Sequence, residues 1–435
     1  MFAKILIANR GEIAVRIIRA CKEMGVATVA VYSEADRSTL AVALADQSIC
    51  IGGGEAGDSY LNESRILSAA LLSGAQAIHP GYGFLSENAH FARLCRKNGI
   101  VFIGPDPDSM ERLSDKAQLK ELISQTQLTV IPGTKALHSV SEAAEAAQRI
   151  GYPVMLKACA GGGGRGIRMV SGPEDLQEAW NQAVSEAASA FHDGSVYLEK
   201  YISPARHVEF QLLADEAGNA ICLGERDCSL QRRNQKLIEE TPSPAVSPQA
   251  RQKLMALAVS AVKQLGYVGA GTMEFLLDTQ GNFWFMEMNV RLQVEHCVTE
   301  MLTGMDLVKW QIRIAAGIPL PMEQKDIPLT GCAIECRINA RSCGRITMLH
   351  VPGGPAVRFD TWLMADSEVT PYYDSLLGKL IVCGKTREEA LRKLRAALCE
   401  LVIRGISTNV QEQLCLVEDE RFISGRYDLT FMSNR

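Results

Sequence analysis

The sequence predicts an α/β part followed by an α+β part, and three observations lead to this expectation. Residues 4–32 have the pattern of a strand, an amphipathic helix and a second strand. After a predicted helix that starts at Ser139 and ends at Gly151, hairpin-like strands dominate. The length of 435 residues corresponds to about three domains of ordinary size. We therefore expect a parallel-rich α/β domain ahead of mainly antiparallel sheets.

Composition and charge exclude several classes of protein. Lys+Arg 45 against Asp+Glu 50 gives a net charge of -5, so no global basic field exists to bind nucleic acid or an anionic membrane. No apolar run approaches the ~18 residues of a membrane span. The 13 cysteines contain no Cys-x-x-Cys pair, which favours reduced core thiols over disulfides or a zinc site. We expect a cytoplasmic protein with no nucleic-acid and no membrane partner.

The first part alternates strands and helices. Strands are predicted at 4–8, 27–32, 48–51, 77–78 and 100–103, with helical stretches near 62–72 and 88–98. The first turn lacks Gly-x-Gly-x-x-Gly, so this domain is not expected to hold a nucleotide. Arg16, Arg19 and Glu23 lie opposite the apolar face of the first helix. A solvated helix face is the simpler interpretation, and a subunit contact is the alternative.

The second part is richer in strands. They are predicted at 152–157, 167–170, 196–201, 207–214, 272–277 and 283–288, with a helix at 251–265. From about residue 330, strands return, followed by a helix whose start is a capping box of Thr386 and Glu389.

A glycine run at 161–166 follows Lys157 between two predicted strands. Its backbone amides could surround phosphate oxygens, and a plain flexible loop is an equally good interpretation. The run is not a Walker loop, because Gly-Lys-Ser/Thr before a helix is absent.

The hairpin turn at 278–282 predicts which residues face each other. Pairing across it places Leu276 opposite Phe285 and Glu274 opposite Glu287. Two carboxylates about 5 Å apart repel unless a cation lies between them, and Asn289 adds a further oxygen. We expect Mg²⁺ rather than zinc, with a solvent-facing pair as the alternative.

An extended conformation from 287 to 295 would group polar residues on one face, together with Phe283 and Phe285. Within that group, Glu295 is the candidate base and Arg291 the candidate anion ligand. On the strand at 332–339, Arg337 is predicted to face the same cleft, with a surface arginine as the alternative. Further cationic candidates are Lys116, Lys157, His207 and Lys236.

Six ordered motifs together resemble biotin carboxylase, an ATP-grasp family, in the form found in acetyl-CoA carboxylase. They are Asn9-Arg10-Gly11-Glu12, His79-Pro80-Gly81-Tyr82-Gly83, the glycine run, Arg226-Asp227-Cys228-Ser229, the segment from Glu287-Met288-Asn289 to Glu295-His296, and Tyr372-Tyr373-Asp374-Ser375. The resemblance implies a Rossmann-like (pre-ATP-grasp) domain at 1–113, an ATP-grasp domain at 114–328 with a mobile lid at about 131–203, and a C-terminal biotin carboxylase domain at 329–435.

The resemblance also implies an activity, which is ATP- and bicarbonate-dependent carboxylation of carrier-linked biotin by way of carboxyphosphate. Magnesium, or alternatively manganese, is the implied metal, with Glu274, Glu287 and Asn289 as ligands. Bicarbonate is assigned to Lys236, Arg291 and the backbone of Val294, with Glu295 as the base, and Arg337 is assigned to deprotonated biotin. The implied ATP-binding residues are Lys116, Lys157, Gly163, Gly164, Glu199, Lys200, His207, Asn234, Glu274 and Glu287.

The implied partners are a biotin carboxyl carrier protein in trans, carboxyltransferase subunits and a second copy of the chain. No Met-Lys-Met biotinylation tripeptide occurs in the sequence. The chain departs from the family pattern at Asn234, where histidine is usual, at Cys297, where proline is usual, and in a glycine run one residue shorter than in some members. It departs further in a short loop, Arg341-Ser342-Cys343. A nucleotide-binding regulatory paralogue and an ATP-grasp ligase with another acceptor therefore stay open.

Overall fold

A computed structural model describes residues 1–159, 167–191 and 193–433. The first part is a parallel five-stranded sheet in the order β3-β2-β1-β4-β5, with helices between the strands. Asn62 and Asn88 cap helices α3 and α4 by accepting from backbone amides. The predicted α/β domain is confirmed. Its elements are β1 Lys4–Ile7, α1 Gly11–Glu23, β2 Ala27–Ser33, α2 Leu40–Leu44, β3 Gln47–Gly52, α3 Glu63–Ser73, β4 Ala77–His79, α4 Ala89–Lys97 and β5 Val101–Phe102.

One face of helix α1 differs from its prediction. Arg16 is buried, with its Nη2 atom 2.8 Å from Glu300 Oε1 and 2.7 Å from Asp306 Oδ1. The interpretation as a solvated face is therefore wrong for Arg16, because acidic groups from the middle of the chain cover it. Arg19 is exposed, and Glu23 forms an ion pair with a lysine 2.5 Å away.

The next segment contains a small antiparallel sheet, β7-β6-β8, with helices packed on it. Ala146, Leu156 and Leu198 belong to its own hydrophobic core. Ser139 caps helix α7 by accepting from the amide of Glu142, as its sequence signature predicts. The elements are α5 Pro107–Ser114, α6 Lys116–Ser124, α7 Val140–Ile150, β6 Val154–Ala158, β7 Ile167–Val170, α8 Leu176–Phe191 and β8 Val196–Lys200.

Within the described residues, the central layer is an eight-stranded antiparallel sheet in the order β13-β12-β9-β10-β11-β14-β19-β17. Strands β10 and β11 were not predicted, because an almost wholly buried strand with many polar residues shows no apolar-polar alternation. The elements are β9 Ala205–Ala214, β10 Ala220–Arg232, β11 Gln235–Thr241, α9 Pro248–Leu265, β12 Gly269–Asp278, β13 Phe283–Asn289, α10 His296–Thr303, α11 Leu307–Ala315, β14 Cys332–Asn339, β15 Gly344–Arg345, β16 Met348–His350, β17 Val357–Thr361, β18 Glu368–Val369, β19 Leu376–Gly384, α12 Arg387–Glu400, β20 Val402–Arg404, α13 Val410–Val417 and α14 Glu420–Ile423.

Pairing between β11 and β14 joins the two last predicted domains into one sheet. The sheet is therefore continuous across the predicted boundary at 328/329, although the two parts carry separate helices. Strands β15 with β18 and β16 with β20 form two further small pairs. In the described part of the chain, no helix combines the length and the apolar composition needed to cross a bilayer.

Candidate active site

Strands β12 and β13 bring the two predicted metal ligands together. Glu274 pairs directly with Glu287 in the antiparallel register. Asn289 lies beside them, and its Nδ2 donates to Glu274 Oε1 at 2.8 Å. The predicted carboxylate pair is therefore present, with an amide group next to it.

The register between these strands is not uniform. A β-bulge after Glu274 pairs Phe275 with Phe285 and Leu276 with Trp284. The predicted Leu276–Phe285 pair is wrong, and so is the placement of Phe285 on the face of Glu287. An extra residue in one strand reverses the alternation, so Phe285 packs in the core while the carboxylates stay paired.

Lysine side chains collect at one end of this site. Lys116 Nζ lies 3.0 Å from Glu287 Oε2, and Lys157 Nζ lies 2.5 Å from Glu199 Oε2. Lys120, which was not predicted, contacts the other oxygen of Glu199. Lys120 is four residues after Lys116 on helix α6, which is the spacing that places two side chains on one helix face.

These ammonium groups are buried close to one another. Burial, with the charge of Lys116 as a second cause, lowers the pKa of Lys157 to about 8. Burial and the charges of Lys157 and Lys116 lower the pKa of Lys120 to about 7. A group of buried cations with lowered pKa values is suited to bind a polyanion such as a nucleotide phosphate.

Other predicted nucleotide contacts differ in where their side chains lie. His207 Nε2 lies 2.8 Å from Glu274 Oε2, and Gln231 donates to His207 Nδ1 at 2.8 Å. The Nε2 atom of His207 therefore carries the hydrogen. The Lys200 ammonium donates instead to the carbonyls of residues 151 and 152, at 2.8 and 3.2 Å. Asn234 is exposed in the β10–β11 turn with a φ of 63°. Gly163 and Gly164 lie outside the described residues.

The predicted base, Glu295, lies between two cations. Lys236 Nζ is 2.5 Å from Glu295 Oε1, and Arg337 Nη2 is 2.9 Å from Glu295 Oε2. Although burial favours the neutral acid, the charges of Lys236 and Arg337 hold the pKa of Glu295 well below its usual range. The resting carboxylate is ionised and can accept a proton. The structure thus places Arg337 in the cleft of Glu295, as its strand face predicts.

Arg291 connects the metal side of the site to the base side. Its Nη2 donates to Asn289 Oδ1 at 3.1 Å, its Nη1 to Gln293 Oε1 at 2.8 Å and its Nε to Glu87 at 2.9 Å. Strand β13 ends at Asn289, so the extended conformation predicted to 295 is wrong. Gln293 still donates to Glu274 at 2.8 Å, which keeps the predicted polar group together.

The backbone of Val294, assigned to bicarbonate, is held from behind by a buried lysine. Lys379 Nζ donates to the Val294 carbonyl at 2.7 Å and lies 3.0 Å from Glu12 Oε1. Tyr82 donates to the same oxygen of Glu12. Lys379 was not predicted, although a lysine inside the apolar strand β19 is a usable signal. The motifs around Glu12 and Tyr82 therefore support the segment that carries Glu295.

Arg226 holds the other side of the base. It is fully buried, and its Nε donates to Glu209 Oε1 at 2.6 Å. The second oxygen of Glu209 accepts from Lys236 at 2.8 Å. The network thus continues from Arg226 through Glu209 and Lys236 to Glu295.

The short loop after Ala340 lies near this cleft and is anchored. Arg341 and Arg232 contact the two oxygens of Glu412. Ser342 accepts from the amide of Ser407 at 3.0 Å. Arg337 precedes this loop on β14, and its Nη2 donates to Glu295 at 2.9 Å.

Comparisons with known proteins agree with this geometry. Residues 1–110 match the family model "Biotin carboxylase, N-terminal domain", and residues 335–434 match "Biotin carboxylase C-terminal domain". Residues 115–323 match "Carbamoyl-phosphate synthase L chain, ATP binding domain". Biotin carboxylase of Nostoc sp. is 51% identical over 440 residues, which cover 99% of this chain and 98% of that protein. This chain belongs to the biotin carboxylase family.

Other members of the biotin carboxylase family are similar over their whole length. The 2-oxoglutarate carboxylase small subunit of Hydrogenobacter thermophilus is 49% identical, over 99% of this chain and 93% of that protein. The structure of the biotin carboxylase domain dimer of that organism, in complex with MgADP, ADP and bicarbonate, has a TM-score of 0.97 at 48% identity and covers 100% of this chain and 98% of that one. Biotin carboxylase from Campylobacter jejuni has a TM-score of 0.98 at 47% identity, with 100% and 99% covered. The ATP-grasp fold predicted from the motifs is confirmed.

Proposed function

We propose that this protein carboxylates biotin on a carrier protein, using ATP and bicarbonate. The observation that supports this activity best is the ionised Glu295 between Lys236 and Arg337, with the same Lys236 ammonium 3.6 Å from Glu274 of the carboxylate pair. A base, cations for an anion and oxygen ligands for a metal are thus within one buried cleft.

ATP is assigned to the end of the cleft that holds the lysines. Lys116 and Lys157 would contact phosphate oxygens, and Glu199, between Lys157 and Lys120, would be released from these lysines as the phosphates arrive. The glycine run assigned to the phosphates lies outside the described residues, so Gly163 and Gly164 stay predictions, as do Asn234 and Lys200. The Lys200 ammonium is turned away, and its backbone N–H donates to the carbonyl of Pro132 at 2.8 Å.

The residues at the carboxylate pair fit Mg²⁺, with Mn²⁺ as the alternative. Glu274 and Glu287 supply hard oxygen ligands on adjacent strands, and Asn289 supplies an amide oxygen. No sulfur ligand lies in this set of three, which argues against zinc. The metal, when bound, would offset the negative charge of the transferring phosphate.

Bicarbonate is assigned to Lys236, Arg291 and the backbone of Val294. Glu295 would take the bicarbonate proton, and a bicarbonate oxygen would attack the γ-phosphorus of ATP. The bond from that phosphorus to the β–γ bridging oxygen breaks, so ADP leaves and carboxyphosphate forms. A second anion beside Glu295 raises the proton affinity of its carboxylate, which turns a weak resting base into a competent one.

Biotin is assigned to Arg337. Its guanidinium would stabilise the oxygen of the deprotonated ureido group. The carboxyl group would pass from carboxyphosphate to the ureido nitrogen as its C–O bond to the phosphate breaks, and the phosphate that leaves would take the ureido proton. A biotin carboxyl carrier protein would bring biotin in trans, and carboxyltransferase subunits would use the product and choose the final acceptor. We further propose a homodimer, which the dimer of a related domain supports. We also propose a cytoplasmic location, which the thirteen free cysteines support.

The test is ATP hydrolysis measured with and without bicarbonate and free biotin. We expect hydrolysis that depends on bicarbonate and increases with biotin, and a loss of at least about 100-fold in Glu295→Gln because the general base is removed. Glu216→Gln, at an exposed acid in the β9–β10 turn, is the matched control and should keep wild-type rates.

Three outcomes contradict the proposal. Hydrolysis without bicarbonate dependence excludes it, and nucleotide binding without turnover indicates a regulatory paralogue. Labelled carbonate recovered only on a non-biotin product indicates a ligase with another acceptor.

A further inference from the structure

Two buried glutamates behind Arg337 have no role in the reaction described above. Strands β11 and β14 pair Glu239 directly with Glu335, and both residues are 0% exposed. Directly opposed side chains in an antiparallel pair have Cβ atoms about 5 Å apart. The main sheet therefore holds two carboxyl groups side by side in its interior.

These two glutamates have very different partners. Glu239 Oε1 accepts from Arg337 Nε at 2.6 Å and lies 2.5 Å from Arg337 Nη2. Among the described residues, Glu335 has no hydrogen-bond partner on either carboxyl oxygen, and Glu239 has none on Oε2. Lys379 and Lys236 lie near the pair, but the hydrogen bond to it comes from Arg337, and two adjacent buried carboxylates with three of their four oxygens unpaired do not both stay ionised. The pair therefore carries one proton.

The environment decides which glutamate holds that proton. Burial raises the pKa of Glu335 well above its usual range, and Glu239 adds to this while the ammonium of Lys379 opposes it. Burial raises the pKa of Glu239 only to about 7, because Arg337 opposes it. Lys236 and Glu295 also face Glu239, and the thiols of Cys228 and Cys336 lie near it. Glu335 is thus the neutral member.

Arg337 consequently has one anchor on each side. Glu239 contacts its Nε and Nη2 atoms from the strand interior, and Glu295 accepts from the same Nη2 atom on the cleft side. When Glu295 takes a proton, its charge disappears and the ion pair to Nη2 weakens. Protonation of Glu295 also removes a repulsion on Glu239, so Glu239 stays ionised and keeps its contact with Arg337.

We propose that Glu239 is the positioning residue that keeps Arg337 in place for biotin after Glu295 is protonated, and that Glu335 serves as the neutral partner that lets Glu239 stay charged. This inference rests on the proposed roles of Glu295 and Arg337. Deprotonation of bicarbonate would then release the contact of Nη2 with Glu295, while its contact with Glu239 stays, at the moment when the ureido oxygen of biotin needs a donor.

Two isosteric substitutions separate the roles of the pair. Glutamine has the shape of a neutral glutamic acid, so Glu335→Gln should keep biotin carboxylation within about twofold of wild type. Glu239→Gln removes the anchoring charge and should reduce biotin carboxylation by about 30-fold, the lower end of what removal of one member of a buried charged pair costs. Bicarbonate-dependent ATP hydrolysis without biotin should fall much less, because it does not use Arg337. Glu239→Asp should recover part of the carboxylation rate.

The pH profile gives a second readout. Loss of the Glu239 charge removes a repulsion on Glu295 and leaves Arg337 to Glu295 alone, so the pKa of Glu295 falls. The acid limb of bicarbonate-dependent hydrolysis should therefore move to lower pH in Glu239→Gln and stay in place in Glu335→Gln.

A third readout needs no turnover. The infrared difference spectrum between wild type and Glu335→Gln should show the carbonyl band of one buried neutral carboxylic acid, identified by its shift in heavy water, and the difference between wild type and Glu239→Gln should not. The subtraction removes the contribution of other buried acids with raised pKa values, such as Glu12 and Glu209. If wild type showed this band pattern but lacked bicarbonate-dependent hydrolysis, the proposed function would be rejected, whereas the assignment of one proton to the Glu239–Glu335 pair would be supported.

Several results would overturn the inference. Equal losses of carboxylation in both glutamine variants, an unchanged rate in Glu239→Gln, or a band that persists in Glu335→Gln would each do so. If Glu239→Gln did not fold, Glu239→Asp would provide the test. A wild-type rate of biotin carboxylation in Glu239→Asp, together with loss of its infrared carbonyl band, would reject the inference.

Discussion

Replacing Lys379 with methionine should destabilise the protein in a way that depends on pH. The side chains of Lys379 and Glu12 are 0% and 1% exposed, and Nζ lies 3.0 Å from Glu12 Oε1. Methionine keeps most of the volume but removes the ammonium, including its 2.7 Å hydrogen bond to the carbonyl of Val294. Glu12 then keeps Tyr82 as its donor without a balancing charge.

The expected magnitude follows from the burial of this pair. Removing one member of a buried ion pair costs about 3–5 kcal/mol, because the other charge is left without compensation. A chain of 435 residues has an entropy of unfolding of about 0.9 kcal/mol/K, so the melting temperature should fall by about 4 °C when the chain unfolds as one unit. A smaller cooperative unit would give a larger decrease.

The sign of the pH dependence is set by Glu12. Burial raises its pKa, and Lys379 lowers it again in part. Without Lys379 the folded-state pKa rises further above the unfolded value of about 4.3, so unfolding releases a proton above that pH. In Lys379→Met, the contribution of Glu12 to the free energy of unfolding is therefore fully present below about pH 4. It decreases as the pH rises, by up to about 1.4 kcal/mol per pH unit.

Thermal unfolding of four proteins tests this reasoning: wild type, Lys379→Met, Glu12→Gln and the double variant. The deficit of Lys379→Met relative to wild type should widen from about pH 5 to about pH 7. The double variant should recover stability at the higher pH, because a neutral glutamine does not need the ammonium. Additive losses in the double variant, or a deficit that is constant with pH, would refute the assignment of the loss to an uncompensated Glu12.

Three further outcomes are expected. MgADP affinity, measured by calorimetry, should fall by up to about tenfold from pH 8 to pH 9, because Lys157, with a pKa of about 8, loses its charge. Lys157→Met should bind MgADP weakly, and its affinity should not change between these two pH values. Glu287→Gln should increase the Mg²⁺ concentration needed for half-maximal hydrolysis by about tenfold, and a requirement equal to wild type would remove Glu287 from the metal site. Arg251→Met removes the cation of Glu225, a fully buried acid 2.7 Å from the arginine, so the melting temperature should fall. The KM values of the folded enzyme should not change, and altered KM values would show that this pair affects the site.

Much of the site follows from local sequence pattern. The turn after Asp278 joins β12 and β13 as a hairpin, as predicted, but with Leu277 rather than Asp278 opposite Phe283, and Glu274 meets Glu287 because the bulge shifts the register by one residue. The alternation along β14 places Arg337 on the cleft side of the sheet. The prediction for Arg337 succeeds because it needs only the period of one strand.

Only the tertiary structure decided how distant segments meet. The Glu239–Glu335 pair requires β11 and β14 to be neighbours, and no local pattern states the order of strands in a sheet. The same holds for Arg16, whose partners come from residues near 300, and for Lys379, which supports the Val294 carbonyl. A period-two pattern also does not predict the bulge beside Glu274, because the pattern assumes strict alternation. The extra residue breaks that alternation and moves the residues beyond it to the opposite face.

The sequence by itself thus determined the α/β and α+β character of the two parts, the family motifs and the strand face of Arg337. The fold determined which of those charges share a buried space, and hence their protonation. Burial and neighbouring charge set a pKa, and both depend on strands that are close in space but distant in sequence. Glu295, ionised between Lys236 and Arg337, and Glu335, neutral beside Glu239, are the same residue type with opposite charge states for that reason.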